Sequence, residues 1–291
     1  HFAALQAVAS QGSFGRAASQ LGYTQSAVSQ QIARLERIVG EKMVERPGGP
    51  RAVSLTEAGH LLLRHAESIV ARLQAAQADL RALRAGEAGT LRVATFQSVG
   101  ARILPEIMRR FTAQWPAVDV LLEELGDEEI AGALERGEVD IGFVLLPVGD
   151  APLETIELLR DPYVLVVPAA SAHATGPTPT LREIGREPLV GFRSDRSIEP
   201  VEAAIHGVGL EPRFTLRSND NGTVQGLVGA GVANAILPRL AVDSSDPRVT
   251  VRELGDAVPP RIIAIARHVD RYLSPAARAF VETARRTSTD D

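Results

Sequence analysis

The sequence predicts an α/β protein with an all-α unit at its N-terminus, one long helix, and a two-lobed α/β unit behind it. Three observations carry that prediction. Apolar residues recur at helical spacing on either side of Gly22-Tyr23. From Leu62 to Leu83 they recur alternately four and three residues apart. Beyond Thr90, short apolar runs alternate with amphipathic stretches.

Phe2, Leu5, Val8 and Ala9 have the spacing of a first helix with one buried face. Ser13 is placed to cap a short second helix carrying Ala17, Ala18 and Leu21, which Gly22 ends because glycine enters the left-handed conformation without strain. Thr24 is placed to cap a third, in which Val28, Ile32, Leu35 and Val39 share a face. Its other face carries Gln25, Ser26, Ser29, Gln30, Arg34 and Arg37. Amides and hydroxyls cluster toward the N-terminus and guanidiniums toward the C-terminus. That grading suits a helix entering a DNA major groove, where short polar groups reach base edges and arginines meet phosphates. Two strand-like runs follow, Met43 to Arg46 and Arg51 to Leu55, around the turn Pro47-Gly48-Gly49-Pro50. A helix-turn-helix followed by such a hairpin is a winged helix-turn-helix, with Arg51 or Arg46 directed at a minor groove or a phosphate.

At this point the chain resembles a LysR-type transcriptional regulator. The residues that carry the likeness are Gly12-Ser13-Phe14, Ala17-Ala18, Leu21, the run Thr24 to Ile32, Leu35-Glu36, and Leu55-Thr56-Glu57-Ala58-Gly59. Thr56 is read as the cap of a long helix from Glu57 to about Ala85. Its seam, Leu62, Ala66, Ile69, Leu73, Ala76, Leu80 and Leu83, is a heptad pattern that an identical helix would bury. At about 1.5 Å per residue such a helix spans roughly 40 Å, enough to hold two winged units at separate half-sites. In the family it resembles, this linker helix pairs in that way, and two dimers join through the sensing domains.

Past Thr90 the expected elements are strands at 91–95, 118–125 and 139–145, with helices at 99–113 and 127–136 between them, forming a parallel unit. A second set comprises strands at 163–167, 189–192, 213–217, 233–237 and 249–254, with helices after Arg196 and near Val224. A return strand at 261–267 and a final helix from Pro275 to Arg286 complete the chain. Two α/β lobes with two crossovers resemble a periplasmic-binding-protein-like fold. The expected organisation is residues 1–56 as the DNA-binding domain, 57–86 as the dimerisation helix, and 87–291 as the effector-binding domain. Lobe I would hold 90–161 plus 267–291, and lobe II 162–266.

Small molecules bind such sheets beyond the carboxyl ends of the strands. Thr95 and Ser98 at the end of the first strand, Gly126 after the second and Phe143 in the third answer to that address. Arg193 and Asn219 would face them from the other lobe. With Ser98 read as the cap of its helix, an anion there would meet free backbone N–H groups. The expected effector is therefore small and polar, with a carboxylate favoured.

Composition sets outer bounds. With no cysteine among 291 residues, a disulfide framework, a Cys-based zinc site and a thiol redox sensor are excluded. No apolar run approaches the roughly 20 residues of a membrane span, and no signal peptide is seen. The chain opens on His1, so residues of the first helix are expected to precede it, and a soluble cytoplasmic protein is the default expectation. The net charge is −5, but residues 1–86 carry ten Lys and Arg against six Asp and Glu, so the basic end is N-terminal. The six histidines have no metal-ligand spacing, Gly226 to Gly231 lacks the spacing of a dinucleotide loop, and no catalytic residue, metal or cofactor is assigned. Implied partners are double-stranded DNA, a small-molecule effector, further copies of the chain in a homodimer or homotetramer, and RNA polymerase; no membrane is implied. The competing reading is a small-molecule carrier or enzyme that uses the two-lobed fold, with the N-terminal part for association.

Overall fold

A computed structural model describes residues 1–45, 53–66, 69, 73, 89–193 and 196–289. The chain divides into two compact units, His1–Gln77 and Ala78–Asp291.

In the first unit, α1 (Phe2–Gln11), α2 (Phe14–Leu21) and α3 (Gln25–Val39) close over Leu5, Val8, Ala17, Ala18, Val28, Ile32 and Leu35. The caps fall where the sequence puts them. Ser13 accepts a hydrogen bond from the Arg16 N–H, Thr24 accepts one from Ala27, and Gly22 sits at φ 69°. Val39 departs from expectation: it ends α3 beyond the core and is 43% exposed. Strands β1 (Val44–Glu45) and β2 (Ser54–Leu55) pair antiparallel, which fixes the base of the wing. Its turn and Arg51 lie outside the described residues.

The wing is tied down from three sides. Val53 donates its N–H to the Gly12 carbonyl, the buried Glu36 accepts the Met43 N–H at 3.0 Å, and the Thr56 hydroxyl donates to the Lys42 carbonyl. Thr56 also accepts from the Gly59 N–H at 3.0 Å, capping α4, which is helical over 57–66 and again at residues 69 and 73. Leu62 packs against this unit's own core, whereas Ile69 and Leu73 are exposed within the single chain. Leu80 and Leu83 lie outside the described residues.

The second unit contains β3 (Thr90–Thr95), α5 (Gln97–Arg102), α6 (Leu104–Gln114), β4 (Asp119–Glu124), α7 (Asp127–Arg136), β5 (Ile141–Leu146), β6 (Leu153–Asp161) and β7 (Tyr163–Pro168). Next come α8 (Leu181–Ile184), β8 (Pro188–Gly191), α9 (Glu199–Gly207), β9 (Arg213–Arg217), α10 (Asn221–Gly229), β10 (Ala235–Pro238), β11 (Val249–Glu253), β12 (Arg261–His268) and α11 (Pro275–Thr289). The helix expected at 99–113 is two helices. Pro105 has no N–H to donate to the carbonyl four residues back and its ring crowds that carbonyl, so the helix breaks ahead of it at Ile103 and restarts with Pro105 in its first turn.

The first lobe is a five-stranded sheet in the order β4-β3-β5-β12-β6. It is mixed rather than parallel, because β12 runs antiparallel to both β5 and β6. Strand β6 was not anticipated: LETIELLRD carries too much charge to read as an apolar run, and it occupies the sheet edge, where Glu154, Glu157 and Arg160 meet water. These pairings correct the lobe boundary. Residues 261–266 belong to the first sheet, so the second lobe ends before Arg261. Phe280 of α11 packs edge-on against Phe111 at 5.2 Å and Phe143 at 6.4 Å, which closes this core. The second lobe is built on β10-β7-β11 and on the parallel pair β8-β9. The chain crosses between lobes at Asp161-Pro162 and again ahead of Arg261; these two residues, the last of β6 and the first of β12, are register partners.

Candidate DNA-reading face and effector cleft

Helix α3 separates its faces cleanly. Val28, Ile32 and Leu35 are buried, while Thr24, Gln25, Ser26, Gln30, Arg34 and Arg37 are exposed and Ser29 is half-buried. The Thr24 and Ser26 hydroxyls lie 3.0 Å apart, which groups the first-turn polar atoms. Six of the seven residues expected to meet DNA thus lie outside the core along a single helix and its cap; the seventh, Arg51, is outside the described residues.

In the second unit a cavity of about 600 Å³ opens between the lobes. The first lobe supplies Phe96, Gln97 and Ser98 after β3, and Glu124 to Glu129 around the β4–α7 turn. The second supplies Phe192, Arg196, Asn219, Asp220 and Asn221, and Arg261 forms part of the wall. Ser98, Gly126 and Asn219 are therefore brought together as expected.

Three other expected residues are not among the lining. Phe143 is wholly buried in the first-lobe core, because its strand is central and its ring faces Phe280. Thr95 is 1% exposed and its hydroxyl donates to the Phe96 carbonyl, beneath the cavity floor. Arg193 contributes its backbone: its N–H donates to Asn219 Oδ1 at 3.0 Å, and its side chain is exposed. Ser98 does line the cavity but caps nothing. Phe96 holds the cap position of a six-residue helix, and the Ser98 hydroxyl instead accepts from Arg261.

Arg261 was missed, and it organises the back wall. Its Nε donates to Asp161 Oδ2 at 2.9 Å, Nη1 to the Ser197 hydroxyl at 2.9 Å, and Nη2 to the Ser98 hydroxyl at 2.7 Å. Both members of the ion pair are buried. Burial pushes the Asp161 carboxyl up, against the pull of Arg261 and the Leu240 N–H. Arg261 stacks over Phe96 at 5.4 Å. Following Pro259-Pro260, it breaks no periodicity and so left no signal in the sequence.

Two further bridges join the lobes. Gln97 donates to Asp220 Oδ2 at 2.8 Å and accepts the Asn221 N–H at 2.8 Å. That amide, with Thr223 behind it, holds the Asp220 carboxyl below the usual carboxylate range. Arg196 reaches from the second lobe to Asp127 Oδ2 at 3.3 Å, the Leu145 carbonyl at 2.9 Å and the Pro147 carbonyl. Asp127 is itself fixed by accepting the Leu145 N–H at 2.7 Å.

Known proteins match along the whole chain. Residues 1–60 match the bacterial regulatory helix-turn-helix protein, lysR family, and residues 84–289 match the LysR substrate binding domain. The chain is 29% identical over 286 residues to a probable HTH-type transcriptional regulator, LrrA, of Synechococcus elongatus, covering 98% of this chain and 96% of that protein. It is 30% identical over 283 residues to the HTH-type transcriptional regulator CbbR of Rhodospirillum rubrum, covering 94% and 91%. Among solved structures, full-length CbnR complexed with its target DNA superposes with a TM-score of 0.72 at 26% identity, covering 98% of each chain. A winged helix-turn-helix with an exposed polar face, a two-lobed domain around a cleft and these full-length matches agree: the chain belongs to the LysR family of transcriptional regulators.

Proposed function

We propose that the protein binds operator DNA through α3 and the wing, senses a small molecule in the inter-lobe cleft, and alters transcription by changing DNA binding or bending. The observation that carries the reading is the exposed polar face of α3 opposite an inner face of Val28, Ile32 and Leu35, in a chain similar from end to end to a regulator solved with its target DNA. Gln25, Ser26, Ser29 and Gln30 read or position on bases, Thr24 orients the first turn, and Arg34 and Arg51 hold the backbone or minor groove. The effector is held by Gln97, Ser98, Gly126 and Asn219, with Arg196 and Arg261 behind them. Ile69 and Leu73 of α4 join two copies, with Leu80 and Leu83 continuing the same heptad pattern in the sequence, and two dimers can join as a tetramer; the exposure of Ile69 and Leu73 in the single chain supports such a partner. RNA polymerase is the expected partner at the promoter, and the site of action is the cytoplasm, where DNA is reached. The carrier and enzyme readings lose ground because the matches span the DNA-binding unit as well as the two-lobed one.

The test is binding of the purified protein to the DNA upstream of its own gene at two salt concentrations, beside a Gln30→Ala, Arg34→Ala variant. A regulator with several phosphate contacts loses orders of magnitude in affinity between roughly 50 and 200 mM salt. Absence of binding at low salt by the folded protein would remove the proposal.

A further inference from the structure

We propose that the cleft takes a cationic effector, an amine or a guanidine, which competes with Arg196 for Asp127. This rests on the cleft being the effector site. It departs from the carboxylate that Ser98 suggests when read as a helix cap.

The guanidiniums that line the cleft are already engaged with groups of the chain itself. Arg261 faces Asp161, Ser98 and Ser197 in the buried back wall. Arg196 sits on Asp127 and on the Leu145 and Pro147 carbonyls. An entering carboxylate would therefore meet no uncommitted guanidinium on the cavity lining. The donor expected to receive it is also committed, since the Ser98 hydroxyl is held by Arg261.

Two of the acceptors, Glu124 and Glu128, are in the opposite condition. Glu124, Asp127, Glu128, Glu129 and Asp220 line the cavity against only Arg196 and Arg261. Glu129 caps the Gly126 N–H and Asp220 holds Gln97 and Thr223. Glu124 and Glu128 are exposed and make no hydrogen bond or ion pair among the described residues. The excess negative charge attracts cations and repels anions before any contact forms.

Arg196 shows what the floor of the site recognises. One carboxylate oxygen and two carbonyls converge on its guanidinium, and none of these three groups has a proton to donate. A free guanidinium or ammonium can satisfy the same acceptors. Arg196 belongs to the second lobe and its three acceptors to the first, so the exchange replaces a tie between lobes with a contact to a diffusible molecule. A ligand that favours one arrangement of the lobes over the other in this way shifts their equilibrium, which is what coupling to DNA requires.

Calorimetric titration of the full chain with agmatine and putrescine, beside glutarate and benzoate, tests the assignment. The cations are expected to bind, with affinity reduced at least tenfold in Glu124→Gln, Glu128→Gln and raised several-fold in Arg196→Gln, which lacks the internal competitor. Circular dichroism of these surface variants checks that they fold. Binding of glutarate or benzoate that is lost in Arg196→Gln would overturn the cationic assignment and leave the cleft reading standing. Binding of any of the four probes that is unaltered in Asn219→Trp, which fills the cavity, would overturn the cleft reading itself.

Discussion

Gly59 approaches Met43 so closely that a β-carbon built on it would lie 2.1 Å from the Met43 carbonyl oxygen. The first turn of α4 is thereby pressed onto the chain entering the wing, where Thr56 and Glu36 also hold it. Gly59→Ala should destabilise the first unit by about 1–3 kcal/mol, the range for forcing atoms into a packed site. Urea unfolding of the variant checks this; a change within experimental error would mean the backbone there yields freely.

Arg261 and Asp161 form a buried ion pair with 6% and 1% of their side chains exposed. Arg261→Met leaves a carboxylate buried among apolar neighbours and should cost about 3–5 kcal/mol. The double variant Arg261→Met, Asp161→Asn should recover much of that loss, because no uncompensated charge remains. A double-mutant cycle with strictly additive losses would contradict the pairing.

The Gln97 amide spans the cleft mouth to Asp220 and Asn221. Asp220 has a depressed pKa, so its contribution is fully present above the ordinary aspartate range and disappears as pH falls through the lowered value. The Gln97–Asp220 tie should therefore persist through the ordinary aspartate range and loosen only as pH falls below it, whereas Gln97→Ala should loosen the lobes at neutral pH. Small-angle scattering of the unliganded protein reads both; equal radii of gyration for wild type and Gln97→Ala at pH 7 would rule out a clasp.

On DNA, Arg34 and Gln30 should separate by type of effect. Arg34→Ala should weaken binding to specific and random duplexes alike and lower the salt slope by about 0.9. Gln30→Ala should cost about 1–3 kcal/mol on the operator and little elsewhere. Binding isotherms on both duplexes at several salt concentrations separate the two; matching effects for both residues would remove the base-reading role of Gln30.

Leu73 is 59% exposed in the single chain. Leu73→Glu should shift the protein to monomers at micromolar concentration, as read by sedimentation velocity, without altering its circular dichroism.

The winged unit was legible because its signals are local. Ser13, Gly22 and Thr24 punctuate helices through contacts within four residues, and these stand as expected. Strand β6 and the assignment of β12 were not, because edge strands and strand order depend on partners far along the chain. The cleft was half legible. Strand ends marked Ser98, Gly126 and Asn219, but Arg196 and Arg261 act through residues 49 to 163 positions distant, and no spacing in the sequence records that. Phe143 misled because it lies mid-strand in β5, where the uniformly apolar run IGFVLL does not reveal which residues stay under the core and which reach the strand's end.

Asp161 and Arg261 also stand at the two points where the chain passes from one lobe to the other, facing each other across adjacent strands. Two straps bolted together at one height cannot shift independently of each other. Whatever molecule enters the cleft therefore meets a back wall in which both passages of the chain move as one.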